Sequence, residues 1–302
     1  MRNPLIKRLP RELKGDIGKY LVIFLFMTML ISLVSGFLVA DNSVYDAYEK
    51  GFEKYNVEYA DFVTADEMSD ETIKELENDN KVRIYDQRYY KLKESKRNAT
   101  IRVYGERKEV NKLCIMSGRL AKADDEITLD RVFAKNNDYK VGDNIKIGDK
   151  DYKITGFVAM PDYSCLFEDN ADMMFDSVNF GVASMTDSGL KKLKKSKLNY
   201  CYAMRYNKKP KSDKEQKNMS DDFLKSLAKK AAVTSYIPRC ENKAINFTGD
   251  DMGGDKAMFI LFDYIVIAIL AFVFAITTSN TIIKEAGVIG TLRASGYTRG
   301  EI

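Results

Sequence analysis

The sequence predicts a membrane protein in which two transmembrane α-helices flank an α+β extracytoplasmic domain. Three observations predict it. Residues 20–40 form a run of 21 uncharged residues, YLVIFLFMTMLISLVSGFLVA, and residues 264–283 form a second run of 20, YIVIAILAFVFAITTSNTII. Each matches the about 20 apolar residues that cross a ~30 Å hydrocarbon core at 1.5 Å per residue. Between the runs, residues 41–257 carry 39 basic and 39 acidic side chains and read as short β-rich segments separated by helical ones. Outside the runs, positive charge accumulates: Arg2, Lys7, Arg8, Arg11, Lys14 and Lys19 outnumber Glu12 and Asp16 over residues 1–19, and residues 284–302 carry a net +1.

The charge placement orients the chain. By the positive-inside rule both ends lie in the cytoplasm, and residues 41–257 lie outside it. The overall +4 is therefore a membrane-orientation signal, and the neutral middle excludes a nucleic-acid partner. The first run is longer than the ~7–15 apolar residues of a signal peptide, and Leu38 stands where a small residue would precede the cut. It reads as an uncleaved anchor.

Composition narrows the chemistry. Among 302 residues there is no histidine, which removes Ser-His-Asp and Cys-His catalysis and any imidazole-bearing zinc or haem site. No GxxxxGK[ST] loop and no GxGxxG dinucleotide signature is present, and Gly253-Gly254-Asp255-Lys256 has the wrong spacing for a phosphate loop. The carboxylates Asp124-Asp125-Glu126 lack the alternating oxygens and closing glutamate of a calcium loop, so they read as a solvated turn. The sequence thus describes a non-catalytic chain with no cofactor and no metal.

Taken in order, residues 1–19 form a basic amphipathic segment and residues 20–40 the first transmembrane helix. Val44, Tyr45, Tyr48 and Phe52 continue a helical period as a stalk over 41–54. Strands are expected at Tyr59–Thr64, Val82–Leu92, Thr100–Tyr104, Glu126–Leu129, Asn144–Ile147, Tyr152–Ala159, Tyr200–Tyr206 and Val233–Ile237. Gly148-Asp149 should turn a tight hairpin. Ser69 caps a helix carrying Ile73 and Leu76, and Asp221–Ala232 forms another. The ten lysines between Lys191 and Lys217 read as a solvated surface or a mobile connector around which the segment divides into two lobes. Cys114, Cys165, Cys201 and Cys240 permit three disulfide pairings, or none.

The second transmembrane helix occupies 258–283 with its outer end, which places Asp263 at the interface. Small residues at Ser32 and Gly36, and at Ala271 and Ala275, have the i,i+4 spacing of close helix contacts. Two spans make no pore, so further transmembrane helices of the same or a second chain are expected as partners, together with membrane lipid. The cytoplasmic segment 284–302 reads KEAGVIGTLRASGYTRGEI. Ile289 and Leu292 share a face, Gly296 ends the helix, and Thr298 with Glu301 forms a T-x-x-E box that opens another. The segment therefore reads as the front portion of a longer polypeptide.

These residues resemble the FtsX/MacB-like permeases of ABC transporters. Val288 to Gly296 is similar to the family's E-I-G-x-L-[RK]-A-x-G segment, with Val288 at the usual glutamate position. Gly118-Arg119-Leu120, Glu126-Ile127-Thr128-Leu129, Val141-Gly142-Asp143 and Ile154-Thr155-Gly156-Phe157-Val158 resemble, in order, landmarks of the family's MacB-like extracytoplasmic core domain. The resemblance implies a multi-pass protein of the cell membrane. It implies a cytoplasmic ABC ATPase subunit as partner, contacted through Ile289, Gly290, Leu292, Arg293, Ala294 and Gly296. It further implies export or extraction of a peptide, lipid or lipoprotein. The same topology suits a two-span sensor with a ligand-binding ectodomain; the glycines at 287, 290, 296 and 300 disfavour the heptad-patterned helices such a receptor would continue into.

Overall fold

The computed structural model describes residues 17–193 and 197–300, with 10, 14 and 15. Most of the basic segment over 1–19 lies outside the described residues, as does Glu301 of the T-x-x-E box. The chain divides into two compact units. One is helical and holds the described residues up to Tyr45 and from Met252 onward; the other is Asp46–Asp251. Two long apolar helices thus flank an α/β sheet unit.

Helix α1 runs Ile17–Lys54 and helix α6 runs Lys243–Ala294, 38 and 52 residues. Both are long and apolar enough to cross a membrane, with mean hydropathy of 2.6 and 2.8 in their most apolar stretches. Their large apolar side chains point outward: Phe24, Met29, Phe272 and Ile276 are all exposed. That outward apolar face suits a hydrocarbon solvent and not water. Within this unit the helices meet where Phe37 stacks on Phe259 and the Lys256 ammonium donates to the Asn42 amide oxygen at 2.8 Å. Gly36 faces open space. The Phe37–Phe259 pair, and not Gly36, forms the contact between these two helices.

Helix α1 continues through the predicted stalk and stops at Asn56, which takes φ 54°. The Asn56 and Val57 N–H groups donate back to the Glu53 and Phe52 carbonyls, closing the last turn. Helix α6 begins earlier than the apolar run requires. The Asn242 side chain accepts from the Ile245 N–H, and Ala244 and Ile245 are buried in the sheet unit.

Among the described residues eleven strands make one sheet: β1 Ala60–Thr64, β2 Val82–Asp86, β3 Tyr89–Lys93, β4 Thr100–Tyr104, β5 Cys114–Gly118, β6 Glu126–Asp130, β7 Asn144–Ile147, β8 Lys150–Ala159, β9 Phe180–Ser184, β10 Leu198–Tyr206 and β11 Val233–Pro238. The order is β11-β1-β10-β3-β4-β9-β6-β8-β5, with β2 also on β10 and β7 on β8. The pairs β4–β9 and β6–β8 are parallel, and the other pairs among the described residues are antiparallel. Helices α2 (Asp70–Asn80), α3 (Arg131–Asn136), α4 (Asp187–Lys191) and α5 (Asp213–Lys230) complete the unit.

Local chemistry explains most elements. The Ser69 hydroxyl accepts from the Thr72 N–H and caps α2 as expected. Ile147 pairs with Lys150, so Gly148-Asp149 is the two-residue hairpin loop, with Gly148 at φ 59°. The Val82–Leu92 run is two strands and not one. It breaks at Gln87-Arg88, where the Arg88 backbone and guanidinium both donate to the Asp86 carboxylate. Helix α5 starts at Asp213, eight residues before its expected start, because Ser212 caps it through the Glu215 N–H.

The lysine-rich stretch is no connector between lobes. Its middle is β10, whose pairing with β1, β2 and β3 joins two cores. One core gathers Ile101, Ile127, Leu129, Phe133, Ile154, Val158, Phe180 and Val182; the other gathers Phe62, Leu76, Tyr202, Met204, Phe223 and Leu227 under α2 and α5. Alternation along β10 permits this, since Cys201 faces the first core while Tyr202 and Met204 face the second. Cys114, Cys165 and Cys201 are free thiols.

Candidate functional site

The tail singled out in the sequence lies at the end of α6. Ile289, Gly290, Leu292, Arg293 and Ala294 occupy its last turns, and Gly296 stands just past it at φ 97°. The Gly296 N–H donates to the Arg293 carbonyl at 3.1 Å, and the Tyr297 N–H to the Leu292 carbonyl at 3.2 Å. This double closure needs a left-handed residue, which glycine adopts without strain. Ile289, Leu292 and Tyr297 are half-buried, whereas Gly290, Arg293 and Ala294 are exposed. Arg293 in the final turn also complements the negative end of the helix dipole.

The four short motifs of the sheet unit converge on β8. Gly118 pairs with Gly156. The Arg119 guanidinium grips the Glu126 carboxylate through two nitrogens, at 2.7 and 2.5 Å. Those bonds, reinforced by the Lys122 and Ala123 N–H groups, pull the Glu126 carboxyl down to about 2. The Gly142 N–H donates to the Ile154 carbonyl, and the Ile154 N–H to the Asp143 carbonyl, both at 2.8 Å. The motifs are thus a structural clamp on one strand. Gly253 and Gly254 lie inside α6, where a helical backbone offers no phosphate loop. Among the described residues no group of three Cys, Asp or Glu side chains is placed to hold a metal ion.

The structure adds a site that sequence reasoning missed. A cavity of about 270 Å³ in the sheet unit is lined by Glu58, Asp61, Gln87, Arg102, Arg107 and Asp162, among others. Asp61 sits mid-strand in β1, on the face opposite Ala60 and Phe62, so it points away from the second core. Arg102 comes from β4, Arg107 and Asn111 from the loop after it, and Asp162 and Tyr163 from the loop after β8.

Its charges are largely enclosed. The Arg107 guanidinium donates to Asp162 at 2.6 Å, with side chains 2% and 7% exposed, and lies 4.1 Å from the centre of the Tyr104 ring. Arg102 donates to the Tyr163 hydroxyl at 2.9 Å and to the Glu168 carbonyl, and lies over the Tyr89 and Phe180 rings. Glu58 is buried and accepts from the Asn111 amide at 2.8 Å. Burial, with the Asp61 and Asp162 charges nearby, pushes its carboxyl well above the usual range. Asp61 touches solvent only in part, and the Asn242 amide reaches it at 3.4 Å. Burial raises its carboxyl to about 7, against the pull of Arg102.

No short-range pattern announces this cavity. Asp61 and Arg102 are single charges inside β-rich runs, and that mid-strand charge on an otherwise apolar strand was the one available signal.

No protein-family model matches the sequence, and no curated protein matches it. Among solved structures, the chain is similar to the periplasmic region of MacB from Actinobacillus actinomycetemcomitans, at 14% identity and a TM-score of 0.36, over 63% of this chain and 91% of that one. It is similar to the extracellular domain of the noncanonic ABC-type transporter YknZ from Gram-positive bacteria, at 12% identity and a TM-score of 0.33, over 59% and 99%. A third similar structure is described as a lipoprotein from Bacillus anthracis, at 10% identity and a TM-score of 0.30, over 59% and 95%.

Proposed function

We propose that this chain is a permease subunit of an ABC transporter. In this reading a partner ATPase binds the cytoplasmic end of α6, residues 41–257 lie outside the cell, and both chain ends lie inside. ATP hydrolysis by the partner moves the sheet unit and drives export or extraction of a peptide, lipid or lipoprotein. The chain itself transmits force and performs no chemistry.

The observation that carries the reading is helical continuity. Both passages of the chain between the apolar helical unit and the sheet unit lie inside unbroken helices, α1 and α6. A helix carries displacement along its axis, at 1.5 Å per residue, where a flexible linker would absorb it. At their sheet-unit ends the two helices are also joined. The Tyr48 hydroxyl donates to the Ile245 carbonyl at 2.9 Å, and Gly249 leaves room for the Tyr48 ring, which a methyl group there would meet at 2.7 Å. Ile289 and Leu292 then offer an apolar contact face at the far end of α6, with Arg293 beside it.

The test uses Leu292→Asp and Arg293→Glu in the chain co-expressed with its partner ATPase. Both variants should retain the folded sheet unit and lose stimulation of ATP hydrolysis by the complex. Stimulation equal to that of the unaltered chain in both variants would refute the coupling role.

A further inference from the structure

We propose that a second cavity, beside the Lys54 end of α1, binds the alkyl chain of a long-chain fatty carboxylate and holds its head group on the Arg131 guanidinium. The site is separate from the tail of α6, so the inference stands or falls independently of the coupling role.

The cavity measures about 570 Å³ and is lined only by residues of the sheet unit. That volume lies within the roughly 300–1,000 Å³ of small-molecule pockets. Tyr48, Phe52 and Tyr55 of α1 form one wall, and Met160, Leu166 and Phe175 form another. Just before Phe175 in the chain, Met173 is 93% exposed and Met174 69% exposed. Exposed methionines next to an apolar cavity make an adaptable surface for apolar matter.

The polar groups of the lining decide what fits, and nearly all of them are already engaged. The Tyr48 hydroxyl donates to the Ile245 carbonyl, and the Tyr55 hydroxyl to the Cys114 sulfur. Ser164 donates to the Ala244 and Ile245 carbonyls and accepts from the Thr248 hydroxyl. Ser177 accepts from the Asn136 amide, and Tyr163 from the Arg102 guanidinium. The Asp130 carboxylate is 3% exposed and caps α3 through the Val132 and Phe133 N–H groups. Arg131 differs from all of these. It lines the cavity, is exposed, and makes no side-chain hydrogen bond or ion pair among the described residues.

An apolar lining with one disengaged cation selects its occupant. A peptide would bring an N–H and a C=O with every residue, and this lining would leave them unmet. An alkyl chain brings neither. A carboxylate at its end matches the planar guanidinium fork, two oxygens against two N–H groups, and adds no hydroxyls in need of partners as a glycerol phosphate head would. The source is close: the apolar run 20–40 ends seven residues before Ala47 of the lining, about 10 Å along the same helix.

The test is photolabelling of the purified full chain in phosphatidylcholine nanodiscs with a diazirine-bearing palmitate, read by peptide mass spectrometry. Residues 44–57 and 159–177 should label saturably. Unlabelled palmitate should compete at least about tenfold better than 1-hexadecanol, lysophosphatidylglycerol or a neutral apolar peptide. Gly51 lines the cavity, and a methyl group there meets nothing within 4 Å, so Gly51→Leu puts its side chain into that space. Gly51→Leu and Arg131→Gln should each weaken labelling of both segments at least about tenfold and leave labelling of residues 20–40 unchanged. Lys135→Gln, an exposed control on the same α3, should alter neither. The proposal is overturned if the two segments show no saturable labelling, as when a second copy of the chain covers the cavity. It is equally overturned if any of the three other competitors matches palmitate, or if either cavity variant labels like the unaltered chain.

Discussion

Gly118 at the end of β5 and Gly156 in β8 stand opposite one another in register, and neither position has room for a methyl group. A Cβ on Gly156 would lie 2.4 Å from the Arg119 carbonyl oxygen, and one on Gly118 would lie 2.3 Å from the Thr155 carbonyl oxygen. The obstacles are backbone atoms, which cannot rotate aside. Gly156→Ala should therefore destabilise the sheet unit by about 2–3 kcal/mol. Gly148→Ala meets open space and bears only the left-handed strain at φ 59°, about 1 kcal/mol. Urea unfolding followed by tyrosine fluorescence would rank them, and equal midpoints for Gly156→Ala and the unaltered chain would contradict the close approach.

The Arg107–Asp162 pair predicts an asymmetric mutant cycle. Both side chains are almost fully buried, so Asp162→Asn strands a buried cation and should cost about 3–5 kcal/mol. Replacing both residues together, Arg107→Met with Asp162→Leu, should cost less than the single change. Denaturation midpoints of the three variants decide it, and a double variant weaker than Asp162→Asn would show that the pair itself is a large net stabiliser.

Stability should fall as pH rises towards neutrality. The Asp61 carboxyl is raised to about 7 by burial, whereas an unfolded aspartate ionises near 3.9. Between about pH 4 and pH 7 the folded chain therefore holds a proton that the unfolded chain has released. The slope is negative, at most about 1.4 kcal/mol per pH unit for this group. Glu58, raised in the same sense, adds to it. Asp61→Asn should make the slope shallower and gain most over the unaltered chain near pH 8. Identical slopes would count against a buried Asp61.

Thiol labelling tests the proposed orientation. Cys240 is exposed and Cys201 is 7% exposed. In reduced, intact cells expressing the chain, a membrane-impermeant maleimide should label Cys240, and Cys201 should react only after denaturation. Labelling of Cys240 only after cell lysis would place the sheet unit on the cytoplasmic side.

Legibility of this chain in its sequence tracked the range of the interactions involved. The Ser69 cap, the Gly148-Asp149 hairpin and the Gly296 helix stop involve partners within a few residues, and each could be read directly. Strand β5 escaped because Cys114–Gly118 is largely exposed and owes its conformation to pairing with β8. The first two turns of α5 escaped because residues 213–220 form a largely polar run, so only the Ser212 cap marks the start. The cavity was least legible: Arg107 and Asp162 are 55 residues apart, and Glu58 and Asn111 are 53 apart. Separations of that size leave no periodic trace.

Strand β10 has a consequence for how this protein can be divided. Because Cys201 belongs to one core while Tyr202 and Met204 belong to the other, no single cut in the chain releases either half with its interior complete. A chimaera that exchanged one lobe for a relative's would have to carry β10 with it and then rebuild the opposite face of the same strand. The sheet unit therefore exchanges as a whole or not at all, and a graft that leaves both cores intact is confined to its loops.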